Sequence, residues 1–91
     1  MSSDLAWKPR LSAKARLKFD QLGRQEMLLF PEAALLLNET AAAIVRLCNG
    51  ERPVGAIVAE VSREFRSRDP AALEAEVSAF LERIRMRGLL E

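Results

Sequence analysis

Ala33-Ala34-Leu35-Leu36-Leu37-Asn38-Glu39-Thr40-Ala41-Ala42-Ala43-Ile44 is the stretch on which the fold turns. By propensity alone Ala33 to Leu37 suits a helix, because Ala and Leu both favour one. Asn38, however, carries the side chain of a helix N-cap, and Glu39 follows in the first turn, where a carboxylate complements the helix dipole. An N-cap residue is itself extended, so a helix that starts here needs a non-helical segment before it. The pattern therefore predicts a short strand over Ala34–Leu37 and a helix over Asn38–Cys48. Small Ala41, Ala42 and Ala43 let a neighbour approach closely, while Ile44, Leu47 and Cys48 share one side. Asn49 and Gly50 end the helix, Gly being the usual residue of a left-handed cap.

Upstream, polar Lys14, Arg16 and Lys18 alternate with apolar Ala15, Leu17 and Phe19, the period of two of a half-buried strand. Asp20 to Arg24 supply a Gly-containing reversal, and Glu26 to Phe30 form a short apolar run bounded by Pro31, so a hairpin is expected. Residues 1–13 mix Ser2, Ser3, Pro9 and Ser12 with charges and show no period, which predicts a mobile N-terminal arm. Trp7 and Leu5 are its large apolar groups; Trp7 either staples the arm to the domain edge or contacts a partner. Residues 14–91 are expected to form a single domain.

Downstream, Pro53 suits the first turn of a second helix, whose Val54, Ile57, Val58, Val61 and Phe65 recur at three- and four-residue steps. Asp69 and Pro70 open a third as N-cap and first-turn residue. Leu73, Val77, Phe80, Leu81 and Ile84 form its stripe, and Gly88 closes it. Three short antiparallel strands followed by three helices define an α+β fold of winged helix-turn-helix-like type, with the strands at the front.

Composition narrows the chemistry. A chain of 91 residues hides only roughly 60–65% of its unfolded surface on folding, so the core is modest. Fourteen basic residues against 13 acidic ones leave a net charge of +1, with no overall field to draw nucleic acid or an anionic membrane. No segment approaches the roughly 20 apolar residues of a membrane-spanning helix. Met1 to Arg10 lacks the continuous apolar stretch of a secretory signal and Cys48 has no disulfide partner, which makes the cytoplasm the expected location. His and Tyr are absent, so Cys48 has no imidazole to activate it, and His/Cys metal sites are excluded. Glu60 with Glu64, and Glu74 with Glu76, have Arg63, Arg66 or Arg83 in reach and read as surface charge pairs, not tuned acids. Neither a cofactor nor catalysis is expected.

Binding is the remaining class. A strand with unpaired N–H and C=O groups is a template for an extended peptide, and Ala34, Leu35, Leu36 and Leu37 make the candidate edge. Alternate leucines must fill the core, but a strand has two faces and all three cannot point inward. Val77, Phe80, Leu81 and Ile84 either belong to the core or form the opposite wall of a groove. Arg83, Arg85 and Arg87 are either a solvated helix end or a basic rim that favours an acidic peptide. A general protein-interaction module fits the same features. DNA binding by the helix-turn-helix pair is disfavoured, because the second helix opens with Pro53, Val54, Gly55 and Ala56, which have no base-reading groups.

Several segments carry a more specific signal when taken in order: Arg16-Leu17-Lys18-Phe19-Asp20; Leu28-Leu29-Phe30-Pro31-Glu32; Leu37-Asn38-Glu39-Thr40-Ala41; Ile44; Leu47-Cys48-Asn49-Gly50; Val54, Ile57 and Val58; Val77, Phe80 and Leu81; and Gly88-Leu89-Leu90. This set resembles the PqqD family, the peptide chaperone of pyrroloquinoline quinone biosynthesis, over nearly the whole chain from Arg16 onward. Asn49 stands where many relatives have Asp, and both residues suit the turn. The resemblance implies a recognition element for a ribosomally made precursor peptide (RiPP recognition element). The peptide would add beside the third strand at Ala34, Leu35, Leu36 and Leu37 and pack on Val77, Phe80, Leu81, Ile84 and Arg85 of the third helix. It further implies a radical S-adenosylmethionine enzyme as partner, which joins a Glu and a Tyr of the peptide. A monomer and a strand-exchanged homodimer are both compatible with such short strands.

Overall fold

Apolar runs too short for helices, separated by turn residues, pair into an antiparallel sheet. In the computed structural model, which describes residues 5–91, strands β1 (Arg16–Asp20), β2 (Gln25–Phe30) and β3 (Ala33–Leu37) lie in the order β1-β2-β3. Helices α1 (Glu39–Leu47), α2 (Val54–Glu64) and α3 (Pro70–Met86) follow, giving the expected α+β order of three strands and three helices. Strand bounds differ slightly: β1 begins at Arg16 and not Lys14, and β3 includes Ala33.

Register decides which side chains meet the helices. Leu17 pairs with Leu28 and Leu28 with Leu35, placing all three in one row on the inner face, with Leu37 two residues further along the same face. Leu28 and Leu37 are buried, while Arg16 and Lys18 are exposed on the outer face. A one-residue slip would turn this whole set to water, so burial pins the register. At the β1–β2 reversal the left-handed residue is Arg24, with φ 54°, and not its neighbour Gly23. Gly23 supplies space instead, since a Cβ there would stand 2.6 Å from Asp20 Oδ2.

Two helices start as the sequence predicts. Asn38 Oδ1 accepts the Ala41 N–H at 2.8 Å at the head of α1, and Asp69 Oδ2 accepts the Ala72 N–H at 3.1 Å at the head of α3. Helix α2 is different, because its N-cap is Pro53 and makes no side-chain bond. Its orphan donors are met by main chain from the N-terminal segment: Val54 N–H donates to Trp7 C=O at 2.8 Å and Gly55 N–H to Leu5 C=O at 3.1 Å.

The same segment continues as a strap. Gly50 N–H donates to Pro9 C=O at 3.0 Å, Leu11 N–H to Cys48 C=O at 3.0 Å and Ser12 N–H to Leu89 C=O at 2.8 Å; Glu91 N–H returns a bond to Arg10 C=O at 2.7 Å. The expected mobile arm is therefore corrected over residues 5–12, which are hydrogen-bonded to the α1–α2 junction and to the C-terminal Leu89 and Glu91; Met1 to Asp4 lie outside the described residues. The physical reason is that a helix start with no side-chain cap must find acceptors elsewhere. Trp7 is half-buried against the core, as a staple would be.

The core sits between the inner sheet face and the helices. Leu28, Ile44, Ile57, Leu73, Ile84 and Leu89 are fully buried, and α1 packs on all three strands while α2 and α3 pack on α1 and on each other.

Deleting residues 1–8 should remove both acceptors from the start of α2. With a lost helix cap costing about 1 kcal/mol, the expected fall in Tm is about 4–8 °C for a domain of this size. Amide exchange should quicken at Val54 and Gly55 while Ala41 and Ala72 keep their protection. An unchanged Tm, with unchanged exchange at those two amides, would contradict the capping role of the strap.

Candidate functional site

The outer edge of β3 is the first element of the site. In an antiparallel ladder, successive residues turn their main-chain groups to opposite sides. Counting from the Phe30–Ala33 pair that closes the two-residue turn, Ala33, Leu35 and Leu37 turn theirs toward β2. Ala34 and Leu36 therefore direct their N–H and C=O groups away from the sheet, and among the described residues no strand borders that side. The side chains divide in the complementary way. Leu36 is 61% exposed on the outer face, whereas Leu35 is half-buried and Leu37 is buried beneath the sheet.

Beside the end of this strand opens a cleft of about 350 Å³. Asn38, Ala41 and Ile44 from the head of α1 form one wall, and Glu76, Ala79, Phe80 and Arg83 from α3 form the other. The chain is led there by Asn38, whose extended backbone ends β3 and whose side chain begins α1. β1 has an outer edge too, but the cleft that α3 lines adjoins β3 through Asn38.

Of the α3 residues named from the sequence, Phe80 lines the cleft. Val77, Leu81 and Ile84 do not: they point into the core, at no more than 2% exposure. Arg85 is exposed and held by Glu82 at 2.6 Å, outside the cleft lining. Arg83, read from the sequence as either a solvated helix end or part of a basic rim, lines the cleft; the lining residues that sequence reasoning missed are Glu76 and Ala79 on α3 and Asn38, Ala41 and Ile44 on α1. Their signal was present as a second stripe at helical spacing, 76, 79, 80 and 83, beside the apolar stripe of 73, 77, 81 and 84. Mixed polarity concealed it.

Charges around the cleft are unequally engaged. Glu76 is neutralised by Arg68 at 2.7 Å. Arg83 makes no ion pair among the described residues, and its guanidinium stands 5.6 Å from the centroid of the Phe80 ring. Farther round the helix, the hydrogen bond from Arg85 holds the Glu82 carboxyl below its ordinary value, and the same bond raises Arg85. Arg46 and Glu26 tie α1 to β2.

A three-stranded sheet with an open edge beside a helix-lined cleft is the architecture of a RiPP recognition element. The solution NMR structure of the PqqD truncation of Methylobacterium extorquens PqqCD, described as a functional and stand-alone element of that kind, matches with a TM-score of 0.75 and 31% identity, covering 91% of this chain and 87% of that one. The model of the family "Coenzyme PQQ synthesis protein D (PqqD)" matches residues 26–90. The "PqqA binding protein" of Methylococcus capsulatus is 35% identical over 72 residues, 79% of this chain and 74% of that protein. That of Pseudomonas fluorescens is 33% identical over 91 residues, 100% of this chain and 98% of that protein. The chain belongs to the PqqD family.

Reactive groups are held away from the cleft. Cys48 is buried, its Sγ donates to Ile44 C=O at 3.3 Å, and burial pushes its thiol up to about 12. Among the described residues no group of three or more His, Cys, Asp and Glu is placed to hold a metal, and no helix is long and apolar enough to cross a membrane. At pH 8 only about one Cys48 in ten thousand is a thiolate. Native protein should therefore resist iodoacetamide over an hour at that pH, and guanidinium-unfolded protein should be alkylated fully. Rapid labelling of the native form would contradict the burial.

Proposed function

We propose that this chain is a non-catalytic chaperone for the precursor peptide of pyrroloquinoline quinone, and that it binds this peptide by strand addition. The observation that carries the proposal is the unpaired outer edge of β3 beside a cleft lined by α3. An extended peptide laid along that edge meets the N–H and C=O groups of Ala34 and Leu36, and every second side chain turns toward Phe80 and the cleft. Leu35 and Leu37 serve from beneath, as the inner-face support of the edge. Val77, Leu81 and Ile84 serve by holding α3 in place, and Arg85 lies farther along the same helix. Curated relatives bearing the name PqqA binding protein support the choice of peptide.

In this proposal the bound peptide is presented to the radical S-adenosylmethionine enzyme of the pathway, which joins its Glu and Tyr. The chain contributes alignment and no chemistry, in keeping with a cleft whose lining holds no nucleophile and whose carboxylate is already paired. The working form is a monomer or a strand-exchanged homodimer in the cytoplasm.

Titration of the precursor peptide into isotopically labelled protein should move the amide resonances of Ala34 and Leu36 and of the 76–83 turns of α3. Leu36→Pro should lower affinity at least about tenfold. The ring deletes an outward donor and obstructs the incoming strand, yet leaves the ladder to β2 intact. A folded Leu36→Pro variant that binds as tightly as the native chain would overturn strand addition. Cross-linking by the enzyme at an equal rate with and without this chain would overturn presentation.

A further inference from the structure

Strand addition accounts for affinity but not for which side chain enters the cleft. The lining answers this chemically. Its floor is apolar, built from Ala41, Ile44, Ala79 and Phe80. Of its two charged residues, Glu76 is cancelled by Arg68, which leaves the cation of Arg83 in excess. Arg83 is exposed but not adrift, because its guanidinium carbon stands over the Phe80 ring, 5.6 Å from the centroid and within cation–π range. Among the described residues the Arg83 side chain makes no ion pair, so its N–H groups remain for a carboxylate, which they fit as a fork.

The opposite wall adds a donor. Asn38 Oδ1 is committed to the Ala41 N–H, so the Nδ2 amide group is the part of that side chain left to donate. Glu39, the acid next in sequence, lines a different depression, with Phe19, Arg24 and Gln25. The cleft therefore offers one cation and one amide donor above a greasy floor, with no uncompensated acid among its lining residues.

We propose that Arg83, assisted by Asn38, is a specificity-determining residue that receives an Asp or Glu carboxylate of the bound peptide. The apolar floor takes a second peptide side chain an even number of positions away. The even spacing follows from strand geometry, since only alternate residues of an added strand turn to the same face. This rests on the peptide-binding reading above and extends it from main-chain capture to side-chain choice.

Calorimetric titration with the precursor peptide tests it, using that peptide unaltered and with each Asp or Glu replaced in turn by its amide. The native chain should lose about tenfold in affinity or more for one of the amide peptides, the size of a lost hydrogen bond to a charged group. Arg83→Gln should lose a similar factor for the unaltered peptide and nothing further for that same amide peptide. Arg83→Lys, which keeps the charge without the fork, should fall between. Arg63→Gln, which breaks an exposed pair with Glu60 on α2, should leave binding as it was. Equal affinity of Arg83→Gln and the native chain for the unaltered peptide would overturn the subsite alone, as would losses from Arg83→Gln and from every amide peptide that simply add. Failure of the native chain to bind the unaltered peptide would instead overturn the peptide-binding reading, and the subsite with it.

Discussion

The hydrogen bond from the Ala41 N–H to Asn38 Oδ1 is the contact on which the site depends. It stops an Ala- and Leu-rich run from joining the helix behind it, and so makes Ala33–Leu37 a strand. Because the chain then turns under the sheet as α1, no strand among the described residues follows β3 along the outer edge. The same residue stands where that edge meets the cleft, so strand end, helix start and cleft wall are set by one side chain.

Small size explains the rest of the architecture. A domain of 91 residues has few apolar layers to spend, and the polar ends of its helices must be satisfied by whatever lies near. The strap of residues 5–12 does this for α2 and also joins the α1–α2 junction to the C-terminal Leu89 and Glu91. Ends of the chain that are far apart in sequence thereby close around the helices. The sheet is left free to present its β3 side.

The division of α3 follows the same logic. Its deep stripe is taken up by packing against α1 and α2, and only the neighbouring stripe reaches a cleft. A cleft lining drawn from the most apolar positions of the helix therefore falls one step round from the residues that form it. The α3 residues that line the cleft are of mixed character, an Ala, a buried aromatic, a paired acid and a cation, and a surface open to solvent must be tolerable to water.

Local chemistry was enough to determine much of this protein. Alternation of Leu17 and Phe19 with Arg16 and Lys18, the caps at Asn38 and Asp69, and the glycines at 50 and 88 located three strands and three helices to within about two residues, because each signal acts over neighbouring residues. The ordered set of short motifs pointed to the family. Tertiary structure alone decided that residues 5–12 form a strap, since their acceptors serve donors some 40 to 80 positions away. It alone decided, too, that Glu76, Ala79 and Arg83 face the cleft while Val77, Leu81 and Ile84 do not. Periodicity tells which residues share a side of a helix, but the rotation of that helix about its axis is set by the packing of all its neighbours at once.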